Sequence, residues 1–212
     1  MLQYSSETPI CNKQLKEKAI FKTTIISTIA LIILGSIIYL NIFKLPKKQI
    51  FPIGEPFNLI SHKGDPITEK IFSTKPTILF FGFTNCPEVC PTTLYEISSW
   101  IDELNLSNKE IQTIFITLDP QRDTVNLMDE YLSNFNDVFL GLTGDENDII
   151  QLSKSWGIYR KVVPTSKQDY SLDHTSTIFL INKDRSLGGT IAFREASEVA
   201  IAKIKNLIER NS

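Results

Sequence analysis

Two cysteines four residues apart stand in the stretch Phe80-Phe81-Gly82-Phe83-Thr84-Asn85-Cys86-Pro87-Glu88-Val89-Cys90-Pro91. A thiolate pair binds soft metals or exchanges disulfides, and this spacing leaves both chemistries open. The surrounding residues predict how the pair is presented. The apolar run Thr77 to Phe83 suits a strand covered on both faces. Asn85 and Pro87 supply a turn, and Pro91 fits the first position of a helix, where a missing N–H breaks no hydrogen bond. Cys90 then falls at the helix N-cap. Free N–H groups and the positive end of the helix dipole are expected to lower its pKa, and that of Cys86 with it.

What must position this pair is a chain of 212 residues, 42% hydrophobic and 22% charged, enough for one ordinary domain plus an accessory segment. A net charge of −2 and a pI near 5.8, with no clustered basic stripe, exclude a phosphate-tracking surface. There is no internal repeat and no low-complexity tract.

The accessory segment is Thr23 to Phe43, uncharged and dominated by Ile and Leu, long enough to cross a bilayer and without an obvious cleavage motif. It predicts an uncleaved transmembrane helix over 23–43, behind a cytoplasmic tail over 1–22. Lys13, Lys16, Lys18 and Lys22 precede it and Lys44, Lys47 and Lys48 follow it, a small excess that favours a cytoplasmic N-terminus. The proline- and lysine-bearing residues 44–52 read as a stalk, and the globular domain is expected over 53–212. Cys11 then lies on the cytoplasmic side as a bystander, and Cys86 and Cys90 face an oxidising compartment in which they could act as a redox pair. The tail lacks an Arg-rich, acid-poor transit peptide. That favours a bacterial inner membrane with the domain in the periplasm over a mitochondrial inner membrane with the domain in the intermembrane space.

Within the domain, Pro56 to Leu59 reads as a short edge strand, and Ser61 to Asp65 as a turn carrying a solvent-exposed His62. Leu94, Ile97, Ile101 and Leu104 mark one face of a helix over Thr92 to Leu104. The β-branched run Ile111 to Leu118 is a central strand ending at Asp119-Pro120, where functional loops often lie. Asp119 either faces a site or shapes the turn, and the turn is the favoured role. Thr124 to Ser133 follows as a helix capped by Asp123 or Thr124. Val138 to Thr143 is a strand, Gly144-Asp145 opens a helix to Trp156, and Gly157 caps it. Ile158 to Val163 and Asp169 to Leu172 form a hairpin, Thr177 to Ile181 and Gly188 to Phe193 are strands, and Glu195 to Ile208 is a closing helix. Phe80, Phe81 and Phe83 are assigned to core and site wall. Strands alternating with helices, then a hairpin and a last helix, predict an α/β domain with a mixed sheet flanked by helices, in the order of the thioredoxin-like fold.

Three separated motifs agree on a family. The cysteine stretch, Thr117-Leu118-Asp119-Pro120-Gln121-Arg122-Asp123-Thr124 and Asp173-His174-Thr175-Ser176 together resemble the Sco/SenC family, from about Pro52 to the C-terminus. Gly54-Glu55-Pro56-Phe57-Asn58-Leu59 also matches, although Ser61 stands where an aspartate is common. The resemblance implies a membrane-anchored, thioredoxin-like copper protein that helps assemble the CuA centre of cytochrome c oxidase. It makes Cys86, Cys90 and His174 the copper ligands. Two soft sulfurs and an imidazole suit both Cu(I) and Cu(II). Taken alone, His174 fits a structural role as well as a functional one; its place before a strand, in a loop that this fold brings beside the cysteines, favours a ligand. Asp173 is a candidate to hydrogen-bond the far side of its ring, or else a solvated turn carboxylate.

The implied function is that of a metallochaperone rather than an enzyme, delivering copper to the copper-bearing oxidase subunit and receiving it from an upstream donor. The alternative is a thiol–disulfide reductase that keeps oxidase-subunit cysteines reduced. A thiol peroxidase is disfavoured because no peroxidatic cysteine motif is present.

Overall fold

The computed structural model describes residues 22, 27–29, 31–36, 56–166 and 169–212. Contacts divide the chain into a unit Met1–Gln49 and a unit Ile50–Ser212. In the first, residues 27–29 and 31–36 are helical, and Leu31 and Ile32 are exposed. Among the described residues no helix is long and apolar enough to cross a membrane. Most of the span expected over 23–43, almost all of the tail over 1–22 and the whole stalk over 44–52 lie outside the described residues.

The second unit runs β1 (Asn58–Ser61), β2 (Pro66–Thr68), a 3-10 turn (Glu69–Ser73), β3 (Thr77–Gly82), α1 (Val89–Glu103), β4 (Gln112–Thr117), α2 (Val125–Leu132), β5 (Phe139–Thr143), α3 (Glu146–Ser155), β6 (Arg160–Pro164), β7 (Tyr170–His174), β8 (Ile178–Ile181), β9 (Leu187–Ile191) and α4 (Ser197–Glu209). Seven strands form one sheet in the order β2-β1-β5-β4-β3-β8-β9, and β6 with β7 forms a separate pair. β3, β4 and β5 are parallel, while β1 and β8 join them antiparallel. The mixed sheet is thus the one expected. One departure is β1, which is not an edge: the unanticipated β2 lies outside it.

β3 is buried along its whole length, as a strand covered on both faces requires. Alternation sends Phe80 and Phe81 to opposite faces. Phe80 meets Phe115, whereas Phe81 meets Trp156 and Phe179. Each ring so buried stabilises the fold by about 1.5–3 kcal/mol, which fixes the strand whose end carries the dithiol. α1 and α4 pack together, with Trp100 Nε1 donating to Ser197 Oγ at 3.2 Å. The caps follow the sequence closely. Thr124 Oγ1 accepts from Leu127 N–H, Asp145 accepts from Asn147 N–H, and Gly157 takes φ +68 after α3.

His62 departs from its expected exposed position and is buried. Its N–H donates to the Gly141 carbonyl at 2.8 Å, and its Nδ1 accepts from Gly141 N–H at 3.0 Å. The imidazole therefore extends the β1–β5 ladder by one pair, and its proton sits on Nε2, facing Asp129 at 3.8 Å. Burial, and then the charge of Lys63, hold its pKa below 6.5 against the opposing pull of Asp129. With a depressed folded-state pKa the unfolded chain binds more protons below 6.5, so this contribution is complete above 6.5 and is lost as pH falls beneath it. On going from about pH 7 to about pH 5, the urea midpoint of the natural chain should fall further than that of His62→Gln, whose amide oxygen can still accept from Gly141. Equal pH dependence of the two midpoints would remove His62 as the source.

Candidate metal centre

The site stands at the C-terminal end of β3, where open α/β sheets commonly place ligands. After Gly82 the chain turns, with Cys86 N–H donating to the Phe83 carbonyl at 3.3 Å, and α1 begins at Val89 with Glu88 as its N-cap. The helix thus starts before the expected position. Cys90 is its second residue rather than the cap, and Pro91 its third rather than its first. Pro91 still lies in the first turn, where no intrahelical N–H bond is lost.

Cys90 is fully buried, Cys86 half-buried, and both are free thiols. Their sulfurs and a ring nitrogen of His174 lie within 4.8 Å of one another. Cys90 Sγ is 3.6 Å from His174 Nε2, and Cys90 N–H points to Cys86 Sγ at 3.4 Å. The His174 Nδ1 lies 2.8 Å from the Thr175 carbonyl, so Nδ1 carries the proton and Nε2 turns its lone pair to the sulfurs. Phe83 and Phe80 meet the ring edge-on at 5.6 and 6.3 Å, forming an apolar wall. Gly82 is required by close approach: a Cβ there would lie 2.8 Å from Cys90 Sγ and 2.7 Å from the Phe115 ring.

The two thiols do not titrate alike, contrary to the expectation that both are acidified. Hydrogen bonding from Cys90, together with backbone N–H groups, outweighs burial and holds Cys86 down at about 4. Cys90 is pushed up, because it donates to Cys86, is buried, and faces the Cys86 charge. The pair shares one proton, with Cys86 the accessible thiolate. Like-charge repulsion opposes removal of the second proton, and a soft cation placed between the sulfurs would relieve it.

The remaining predicted residues fall elsewhere. Asp173 is exposed, and the ring position it was a candidate to fill is taken by the Thr175 carbonyl. Asp119 is 1% exposed and shapes its loop: it pairs with Arg122 and accepts from the Tyr170 hydroxyl at 2.7 Å. Asp123, expected as a possible helix cap, is buried instead. It accepts from Thr84 N–H at 3.0 Å and from the Thr84 and Thr117 hydroxyls at 2.5 Å each. It thereby ties the loop before Cys86 to the end of β4. No local pattern marks that role, since Thr84 lies 39 residues away in sequence.

A family model described as SCO1/SenC matches residues 46–209. The chain is 35% identical over 162 residues to the mitochondrial protein SCO2 of Saccharomyces cerevisiae, covering 74% of this chain and 53% of that protein. It therefore spans about half the length of that relative. It is 33% identical over 175 residues to a SCO2-like protein of Rickettsia prowazekii, covering 76% of this chain and 85% of the relative. Among solved structures, copper-bound ScoI of Bradyrhizobium japonicum superposes with a TM-score of 0.68 at 39% identity, covering 73% of this chain and 99% of that one. Copper-bound yeast Sco1 gives a TM-score of 0.69 at 31% identity, covering 75% of this chain and 90% of that one. A mixed thioredoxin-like sheet, a free dithiol at the end of its third strand and a histidine facing both sulfurs accompany these matches, and the chain belongs to the SCO1/SenC family.

Proposed function

We propose that this protein is a copper chaperone, with Cys86, Cys90 and His174 as the ligands of its cargo. The observation that carries the reading is the convergence of two sulfurs and an imidazole Nε2 within 4.8 Å, drawn from segments 84 residues apart in sequence. The donor set fits the metal: thiolates select Cu(I), and imidazole accommodates Cu(I) and Cu(II). Cys86 is the accessible donor and Cys90 the buried one, so an incoming thiolate of an acceptor would displace Cys86 first and Cys90 last. The recipient in this reading is the CuA site of the copper-bearing cytochrome c oxidase subunit during assembly, with a separate donor upstream. Residues 23–43 would anchor the chain in an inner membrane with the domain in the periplasm.

Metal analysis tests this directly. The chain should bind about one Cu(I). His174→Ala should weaken Cu(II) binding by at least about tenfold while leaving the dithiol redox-active. Unaltered copper affinity in that variant would sink the ligand assignment.

A second reading, as a thiol–disulfide reductase, is favoured by the two free, adjacent thiols. In it Cys86 attacks a partner disulfide and Cys90 resolves the mixed disulfide, so that the chain leaves oxidised and the partner leaves with two thiols. Turnover of an oxidised oxidase-subunit peptide by metal-free protein would establish it, and no exchange would count against it.

A further inference from the structure

His174 reaches the dithiol from a hairpin that stands apart from the main sheet: β6 and β7 form their own two-stranded sheet, and His174 is the last residue of β7. Besides Leu172, which is buried in the core, and Arg160 Nε, which donates to the Leu118 carbonyl at 2.7 Å, the hairpin is docked by polar contacts to the loop after β4. Arg122 Nη1 donates to the Tyr170 carbonyl at 2.9 Å and to Asp169 at 3.1 Å, and the guanidinium lies 3.8 Å over the Tyr170 ring. The same side chain pairs through Nε with Asp119, which also accepts from the Tyr170 hydroxyl. Asp119 is almost wholly buried, so losing either partner would leave one of its oxygens without a hydrogen bond. A planar fork that grips a carboxylate on one side and a carbonyl on the other, while stacking on an aromatic face, is a geometry that arginine provides and lysine does not.

We infer that Asp119, Arg122 and Tyr170 form a latch that positions His174, so that the docked fraction of the β6–β7 arm sets how tightly copper is held while both sulfurs stay in place. This rests on the copper reading above. The dithiol is carried by the β3–α1 segment, whose strand is held in the main sheet by β4 and β8, whereas the third ligand is present only when the arm is docked. For a site competent in only a fraction of molecules, apparent affinity falls in proportion to that fraction. Lowering the docked population to about a tenth therefore weakens three-ligand binding about tenfold. Asp119, Arg122 and Tyr170 are positioning residues: their hydrogen bonds run to one another and to the arm, and they act on copper through His174.

The test is a double-mutant cycle on the full chain, with Arg122→Gln and Tyr170→Phe each made alone and with His174→Ala. Cu(II) titration should show about tenfold weaker binding for each latch variant in the natural background. In the His174→Ala background it should show no further loss, since the ligand being positioned is already gone. All of them keep both cysteines, so each should still close and reopen the Cys86–Cys90 disulfide. In metal-free protein the His174 ring-proton resonances, set by the edge-on Phe83 and Phe80 rings, should move toward free-histidine positions in the latch variants. An equal loss of affinity in both backgrounds overturns the latch, and so does unchanged affinity in both latch variants. If Arg122→Gln does not fold, Tyr170→Phe, which removes a single oxygen, decides the matter. A loss in His174→Ala alone, with none in the latch variants, overturns the latch and leaves the ligand assignment standing. Unchanged binding in His174→Ala itself removes both.

Discussion

Cys90→Ser should abolish copper retention while leaving the domain folded. Metal sites held by four protein ligands are worth about 10–16 kcal/mol, or about 3 kcal/mol per ligand, and 1.4 kcal/mol is tenfold, so losing one thiolate weakens binding by at least about a hundredfold. Serine does not make up the loss, because its hydroxyl stays protonated and is hard where Cu(I) requires a soft donor. Cys90 is a sharper probe than Cys86 because of where its sulfur sits. It lies against the bare Cα of Gly82 and 3.6 Å from His174, so it is the atom shared between the dithiol and the imidazole. Its removal leaves Cys86 and His174 without the donor between them, and it also prevents a disulfide from closing. Competition against a chromogenic Cu(I) chelator gives the affinity, and thermal unfolding checks the fold. Wild-type affinity in this variant would exclude the dithiol as the cargo site. His174→Ala should differ in kind, costing more for Cu(II) than for Cu(I), because the two sulfurs suffice to prefer the softer ion.

The parts of this centre that sequence made visible are those whose signal is local. An unbroken apolar run required a strand with both faces covered, and Thr77–Gly82 is that strand. Two cysteines flanked by proline required a turn leading into a helix, and the helix arrives a little earlier than the prolines suggested because Glu88 takes the cap. The motif around His174 marked the third donor through family resemblance, yet nothing near it could say what holds the ring. That role falls to the Thr175 backbone, which every residue type offers equally. Asp123, Tyr170 and His62 were hidden for a related reason. Each is a polar residue whose meaning comes from a partner 39 to 79 residues away, and periodicity carries no information about such pairs. Asp119 was half visible: its place before a proline indicated a turn, while its burial under Arg122 and Tyr170 followed only from the fold.

Three segments therefore meet at one end of the sheet with distinct tasks. The loop after β3 presents sulfur, the loop after β4 supplies two buried carboxylates that tie its neighbours down, and the β6–β7 arm presents nitrogen. Asp119 fastens the arm and Asp123 fastens the sulfur loop. The two acids are four residues apart, and each anchors a different donor segment.

Asp123→Ala is accordingly expected to destabilise the domain by about 3 kcal/mol, since it strands a buried backbone N–H and two hydroxyls that had a charged acceptor. For a domain of this size the melting temperature should fall by about 6–12 °C. Asp123→Asn should behave differently. Its oxygen can accept from Thr84 N–H and Thr117 as the carboxylate does, and its amide can donate to Thr84 Oγ1, which accepts as readily as it donates. The cost should stay within about 1 kcal/mol. Burial, the largest influence on Asp123, raises its pKa above 3.8 even though both threonines pull it down. The folded state then binds the extra proton in the window above 3.8, so this residue's contribution to stability declines as pH rises through that window. Asp123→Asn removes that decline. Urea midpoints of the natural chain and both variants at about pH 4 and about pH 7 check the two claims together. An alanine variant as stable as the natural chain would mean that the Thr84 loop is held by something other than this carboxylate.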